Sequence, residues 1–83
     1  MVQKTEIETA IKTYILKEFF EGDEAALTSE TPLLSSGIID SISALQLVDF
    51  IEEQFGIEFQ AHEVDQDNLH SIETLTNFVI AKQ

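Results

Sequence analysis

A serine that follows an aspartate at the expected start of a helix offers the clearest chemistry in this sequence. Asp40 and Ser41 stand at the end of a long loop and directly before an amphipathic stretch. Backbone N–H groups at a helix N-terminus create positive potential, which suits a phosphate ester on the serine hydroxyl. The plainer reading is that the two residues only cap the helix, as such pairs usually do. Spacing alone favours the cap.

The helix that would carry Ser41 is predicted to run from Asp40 or Ser41 to Phe55, with Gly56 suited to its C-terminal stop. At about 100° per residue, one stripe of this helix is apolar and should face the core. This core stripe contains Ala44, Leu47, Val48, Ile51 and Phe55. The outward face mixes acidic or polar residues with two large aliphatics and contains Ile42, Leu45, Gln46, Asp49, Glu52 and Glu53. Phe50 falls off the core stripe.

Two further helices and a long connection are expected around this one. Apolar residues at three- and four-residue spacing predict a first helix over about residues 4–20, stopped by Gly22. Its apolar face contains Ile7, Ala10, Ile11, Tyr14 and Ile15. A last helix is predicted from near Ser71, with one helical turn near residues 62–65 before it. Residues 21–39 should form a loop pinned to the core by Leu27, Leu33, Leu34, Ile38 and Ile39.

Charge and composition exclude several classes of protein. The 83 residues include 16 acids and 4 bases, for a formal net charge of −12, which argues against nucleic acid and anionic membranes as partners. Fourteen of the acids lie between Glu18 and Ala81, where the chain has no Lys or Arg. An apolar content of 43% is too high for a disordered acidic tail. No run reaches the roughly 20 apolar residues of a membrane span, and the first residues do not resemble a signal peptide. We therefore expect a compact cytoplasmic domain with basic partners.

Other candidate sites are weak. Asp65 and Asp67 could open a calcium loop, but His70 stands where glycine is needed and Thr76 where a bidentate glutamate is needed. His62 and His70 lack the spacing of a zinc site, and nothing supports a triad with Ser41. The sequence has no cysteine. We predict no catalytic residue and no metal ligands.

The segment around Ser41 resembles the carrier proteins that bear 4′-phosphopantetheine. The resemblance rests on Gly37-Ile38-Ile39-Asp40-Ser41-Ile42, then Leu45, Leu47 and Val48, and the helix end Glu52-Glu53-Gln54-Phe55-Gly56. It covers essentially the whole chain. The resemblance implies one carrier domain over residues 1–83, with the all-α four-helix bundle of acyl, aminoacyl and peptidyl carriers. In that fold a long loop joins helices 1 and 2, and the third helix is short.

The resemblance also implies a function. Ser41 would be the attachment site, to which a phosphopantetheinyl transferase moves the group from coenzyme A, and Asp40 would be its motif neighbour. Partner enzymes with basic patches would dock on Ile42, Leu45, Gln46, Asp49, Glu52 and Glu53. The protein would be a monomeric free-standing carrier and not an enzyme. Acyl or aminoacyl groups would ride on it as thioesters between a loading ligase or transferase and downstream synthases.

The sequence departs from the pattern of fatty-acid carriers in three places. Those carriers resemble Gly-x-Asp-Ser-Leu, whereas this chain has two residues, Ile38 and Ile39, before Asp40, and Ile42 in place of the leucine. Asp49 stands where an aliphatic residue is frequent. The pattern is closer to specialised carriers, including those loaded with amino acids by adenylating ligases. The alternative function is an acidic helical interaction module without a prosthetic group.

Overall fold

Three α-helices dominate the described part of the chain. A computed structural model describes residues 3–19, 27–65 and 67–83. These residues form α1 (Lys4–Glu18), α2 (Ser41–Phe55), a single 3₁₀ turn (Ala61–Glu63) and α3 (Ile72–Lys82), with no β-strand among them. The all-α prediction is confirmed for these ranges. The four-helix bundle is not, because the expected short third helix is one 3₁₀ turn.

The helix α1 is held by one line of isoleucines. Ile7, Ile11 and Ile15 recur every fourth residue and are fully buried, so they form the predicted apolar face. The helix α1 as a whole packs more extensively on α3 than on α2. The predicted end near residue 20 lies close to the observed end at Glu18. Phe20 and the predicted stop, Gly22, lie outside the described residues.

Local capping chemistry defines the ends of α2 and α3. Gly56 follows α2 with a φ of 65°, a left-handed conformation that costs glycine little, and its N–H donates to the Glu52 carbonyl. At the start of α3, the Ser71 hydroxyl accepts from the Thr74 N–H and the Thr74 hydroxyl accepts from the Ser71 N–H. This reciprocal pair satisfies two N–H groups that the helix itself leaves without partners. Both predicted boundaries are confirmed.

The described part of the connection before α2, residues 27–39, is tied to the core as predicted, and residues 21–26 of the predicted loop lie outside the described residues. Leu27, Leu33 and Ile39 are buried, and Leu34 and Ile38 pack partly against the same core. The Leu33 N–H donates to the His70 carbonyl at 2.8 Å, which fixes the loop against the entry to α3. These contacts of the loop therefore fix the position at which α2 begins. None of the helices in the described ranges has the length and apolar character needed to cross a membrane.

Candidate functional site

The start of α2 places Ser41 at the surface. Asp40 is the N-cap, and its Oδ1 accepts a 2.8 Å hydrogen bond from the Ser43 N–H. The Asp40 carbonyl accepts from the Ala44 N–H, also at 2.8 Å. Ser41 is the first helical residue, and it is exposed. The capping reading of Asp40 is thus confirmed, and it leaves the neighbouring hydroxyl accessible to solvent.

The Asp40 carboxylate is stabilised in its charged form. The backbone N–H and the hydroxyl of Ser43 lower the pKa of Asp40 below its ordinary value. Hydrogen bonds to a carboxylate favour ionisation in this way, and the helix dipole acts in the same direction. The residue before Ser41 is therefore negative at neutral pH.

A mostly apolar cleft opens beside Ser41. Its volume is about 320 Å³, and it lies between the loop before α2, the first turns of α2, and the chain between the 3₁₀ turn and α3. Its lining consists of Leu34, Ser41, Ala44, Leu45, Val64, Asp65 and Leu69. Five of these seven residues are apolar, so the cleft suits an aliphatic group anchored near the Ser41 hydroxyl.

The outward face of α2 is exposed at five of its six predicted positions. Ile42 and Leu45 are the exposed large hydrophobic residues of the described chain, at 69% and 56% exposure. Gln46, Asp49 and Glu53 are exposed beside them. The face therefore combines accessible aliphatic surface with negative charge next to Ser41. The helical wheel predicted this arrangement correctly for these residues.

Glu52 is the exception on this face. Its side chain is half-buried, and its Oε2 accepts a 2.8 Å hydrogen bond from the Phe59 N–H. The wheel placed Glu52 outward because it treats a helix in isolation. In the folded chain the segment that follows Gly56 returns past Glu52 and uses its carboxylate as a hydrogen-bond acceptor.

The side of the cleft formed by the chain between α2 and α3 was not predicted from the sequence. Val64 and Asp65 line the cleft from the chain after the 3₁₀ turn, and Leu69 lines it from just before α3. Sequence periodicity had no means of placing this irregular segment against Ser41. Phe50 packs on Tyr14 of α1. Its position off the core stripe of α2 was a sequence signal for this second contact between the two helices, which lies apart from the cleft.

The two histidines lie at the surface. His62 is exposed in the 3₁₀ turn and His70 is exposed before α3. Across residues 3–19, 27–65 and 67–83, no three His, Asp or Glu side chains are grouped so that they could hold a metal ion.

Comparison with known proteins assigns a family to this arrangement. Residues 13–79 match the protein family described as "Phosphopantetheine attachment site". The chain is also 26% identical over 73 residues to the "Probable acyl carrier protein PigG" of Serratia sp. (strain ATCC 39006). That similarity covers 88% of this chain and 84% of the relative. Residues 13–79 include α2, the residues that line the cleft, the end of α1 and most of α3.

Proposed function

The chain belongs to the phosphopantetheine attachment-site family, and from that premise we propose that Ser41 bears the group in a free-standing acyl carrier protein. Proteins of this family are carriers rather than enzymes, and their prosthetic group is covalently attached 4′-phosphopantetheine. They interact with a phosphopantetheinyl transferase and with biosynthetic enzymes. What we propose for this chain is the attachment residue, the docking surface and the class of cargo.

The exposed position of Ser41 at the first residue of α2 is the observation that carries the proposal. A phosphodiester needs a hydroxyl that a second enzyme can reach, and Ser41 is exposed. The apolar cleft that borders Ser41 provides space beside the attachment point. These features fit a flexible phosphate-linked group.

The chemistry at Ser41 is the acceptance of a phosphoryl linkage. In the transferase complex, the Ser41 oxygen loses its proton and forms a bond to the phosphorus of coenzyme A that bears the pantetheine, and adenosine 3′,5′-bisphosphate leaves. Asp40 caps the helix that presents Ser41 and remains charged, so it serves recognition by the transferase or its metal ion. Once attached, the group supplies a thiol that holds acyl or aminoacyl cargo as a thioester.

The exposed face of α2 is the proposed docking surface for partner enzymes. This docking surface contains Ile42, Leu45, Gln46, Asp49 and Glu53. Its aliphatic side chains offer contact area, while its carboxylates attract basic patches and orient the encounter. Glu52 adds to the negative potential, but its carboxylate is engaged with the Phe59 N–H.

The cargo is an acyl or aminoacyl group on a pathway of fatty-acid, polyketide, nonribosomal-peptide or related specialised biosynthesis. The similarity to an acyl carrier protein favours an acyl group. Ile38 and Ile39 before Asp40, and Asp49 on α2, favour a specialised pathway over general fatty-acid synthesis.

The proposal is tested by intact-mass measurement after incubation with coenzyme A and a broad-specificity phosphopantetheinyl transferase. We expect the mass to rise by one phosphopantetheine unit. Ser41→Ala should remove the gain, while Ser43→Ala, two residues along the same helix, should keep it. A mass gain that survives in Ser41→Ala would place the group elsewhere. An unmodified wild-type chain with several transferases would instead support an interaction module without the group.

A further inference from the structure

The irregular chain between α2 and α3 forms one side of the cleft at Ser41. Residues 57–65, here called the wall segment, contain the 3₁₀ turn, and Val64 and Asp65 line the cleft. The 3₁₀ turn is only three residues long, so it offers little hydrogen bonding of its own. Other contacts must therefore hold the wall segment in place.

One carboxylate holds the beginning of the wall segment from α2. Glu52 Oε2 accepts the Phe59 N–H at 2.8 Å. The Phe59 ring is buried and stacks on Phe78 of α3, with ring centroids 4.4 Å apart. The hydrogen bond and the ring stack together attach this point of the wall segment to both flanking helices.

A second carboxylate, Glu63 of the wall segment itself, joins the other end of this segment to α3. Glu63 Oε1 accepts both the Gln60 N–H at 2.8 Å and the Lys82 Nζ at 2.7 Å. The Glu63 carbonyl accepts from the Asn68 side-chain amide at 2.9 Å. Lys82 is the sole Lys or Arg after Lys17 in the sequence, and it forms this partly buried ion pair with Glu63. Val64 follows Glu63 directly, so the ion pair acts one residue from the cleft.

We propose that Glu52 and Glu63 are positioning residues that hold the wall segment against the cleft, so that two carboxylates control how far cargo beside Ser41 is shielded from solvent. Glu52 acts from α2, and Glu63 acts through Lys82 from the end of α3. The shielding of cargo rests on the proposed attachment at Ser41. The holding of the wall segment does not, because its contacts lie within the chain.

The test compares two adjacent glutamates of α2, of which Glu52 accepts the hydrogen bond from the wall segment and Glu53 is exposed. Glu52→Ala and Glu53→Ala remove the same charge from neighbouring positions of α2, but Glu53 is exposed. In the unmodified protein, amide hydrogen exchange at Phe59 should accelerate about tenfold in Glu52→Ala relative to Glu53→Ala. Amides of Ile11 and Ile15 in α1 should exchange equally in both, which separates local opening from global destabilisation. Glu52→Gln, which keeps an acceptor oxygen, should restore part of the protection.

The Lys82 contact is tested in the same way. Lys82→Gln should accelerate exchange at Gln60, whose N–H shares Glu63 Oε1 with Lys82. Lys17→Gln, which removes a charge from an exposed position of α1, should leave Gln60 unchanged. Lys82→Arg should restore the protection, because it keeps a cation in reach of Glu63.

Shielding is measured on protein loaded from octanoyl-coenzyme A by the transferase. Cleavage of the thioester by hydroxylamine should be several-fold faster in Glu52→Ala and Lys82→Gln than in Glu53→Ala and Lys17→Gln. Equal exchange at Phe59 in the two glutamate variants would overturn the proposal. Faster exchange with equal cleavage would overturn the shielding role. Failure of wild type to load would overturn the attachment at Ser41, and the persisting exchange difference would distinguish that outcome.

Discussion

Tyr14 of α1 and Phe50 of α2 stack nearly parallel, with ring centroids 4.1 Å apart and an angle of 11° between the ring planes. Phe19 meets the Tyr14 ring edge-on at 5.5 Å. All three side chains are half-buried. The stack therefore joins the helix that carries Ser41 to α1 outside the main core, close to Asp49 and Glu53 of the docking surface.

We predict that Tyr14 and Phe50 are energetically coupled. In a double-mutant cycle with Tyr14→Ala and Phe50→Ala, the coupling free energy should be about 0.5–1.5 kcal/mol, the range found for aromatic pairs. Urea unfolding of the four proteins measures it. Tyr14→Phe keeps the ring and should retain most of the coupling. Strictly additive single-mutant effects would mean that the stack contributes nothing beyond burial.

Titration of the single tyrosine should report the environment of the stack. Burial, followed by the charges of Glu18 and Asp49, raises the pKa of Tyr14 above its ordinary value. The folded chain thus favours the neutral phenol. This contribution to stability is present below the ordinary pKa of about 10 and is lost as pH rises through the folded value. Ultraviolet titration should give an elevated midpoint, and Asp49→Asn should bring it part of the way back. An unchanged midpoint in Asp49→Asn would contradict the charge effect.

Replacing each of two leucines of α2 by alanine should change the free energy of unfolding by very different amounts. Leu47 is fully buried, whereas Leu45 is 56% exposed. Leu47→Ala should lower the free energy of unfolding by about 2–5 kcal/mol through lost burial and the cavity left behind. Leu45→Ala should change it by no more than about 0.5 kcal/mol. Urea denaturation compares them, and Leu45→Ala should instead weaken partner binding. Similar losses of stability would mean that Leu45 is part of the core.

Acid should remove the contribution of the Asp40 cap. The pKa of Asp40 is lowered in the fold by its hydrogen bonds from Ser43, so its stabilising effect is present above the ordinary aspartate pKa of about 3.9. It is lost as pH falls from there through the folded value. Asp40→Asn keeps a capping side chain without the titration. The difference in urea midpoint between wild type and Asp40→Asn should therefore shrink below about pH 4, while relief of self-repulsion affects both proteins alike.

Charge reversal on the docking surface should slow modification more than it affects folding. Asp49→Lys and Glu53→Lys replace exposed carboxylates, so the rate of phosphopantetheine transfer by a transferase with a basic docking patch should fall. Wild-type transfer should slow as salt rises, and the variants should be less sensitive to salt. Glu6→Lys makes the same charge change at an exposed position of α1 and should transfer at the wild-type rate. Transfer by such an enzyme that ignores salt would count against electrostatic docking.

Glu52→Lys should lower the stability of the protein more than Glu53→Lys does. The side chain would lose the acceptor for the Phe59 N–H, so this variant should lose stability as well as charge. Urea unfolding alongside Glu53→Lys separates the two effects. A Glu52→Lys protein as stable as Glu53→Lys would show that the hydrogen bond to Phe59 is worth little.

The features predicted correctly from the sequence are those that depend on neighbours along the chain. Asp40 caps α2 because its carboxylate reaches an N–H three residues on. Gly56 ends α2 because glycine tolerates positive φ. The spacing of Ile7, Ile11 and Ile15 was enough to identify the buried face of α1. Each of these follows from helical geometry within a few residues.

The features that escaped prediction depend on which distant segments meet. Glu52 turns from the expected outward face to the Phe59 N–H, seven residues away, because the chain bends back after Gly56. The ion pair of Glu63 with Lys82 spans 19 positions and joins the end of the 3₁₀ turn to α3. One helical turn was predicted near residues 62–65, but its contacts with the flanking helices were not.

The sequence by itself determined the helices, the cap before Ser41, the acidic outward face of α2 and, through the motif around Ser41, the family. Local hydrogen bonding and periodic burial are encoded in short stretches, and these suffice for such features. Only the tertiary structure decided the cleft beside Ser41, the stack of Tyr14 on Phe50 and the different environments of Glu52 and Glu53. These arise where irregular chain is packed against helices, and the free energy that selects that packing is summed over the whole core rather than over adjacent residues.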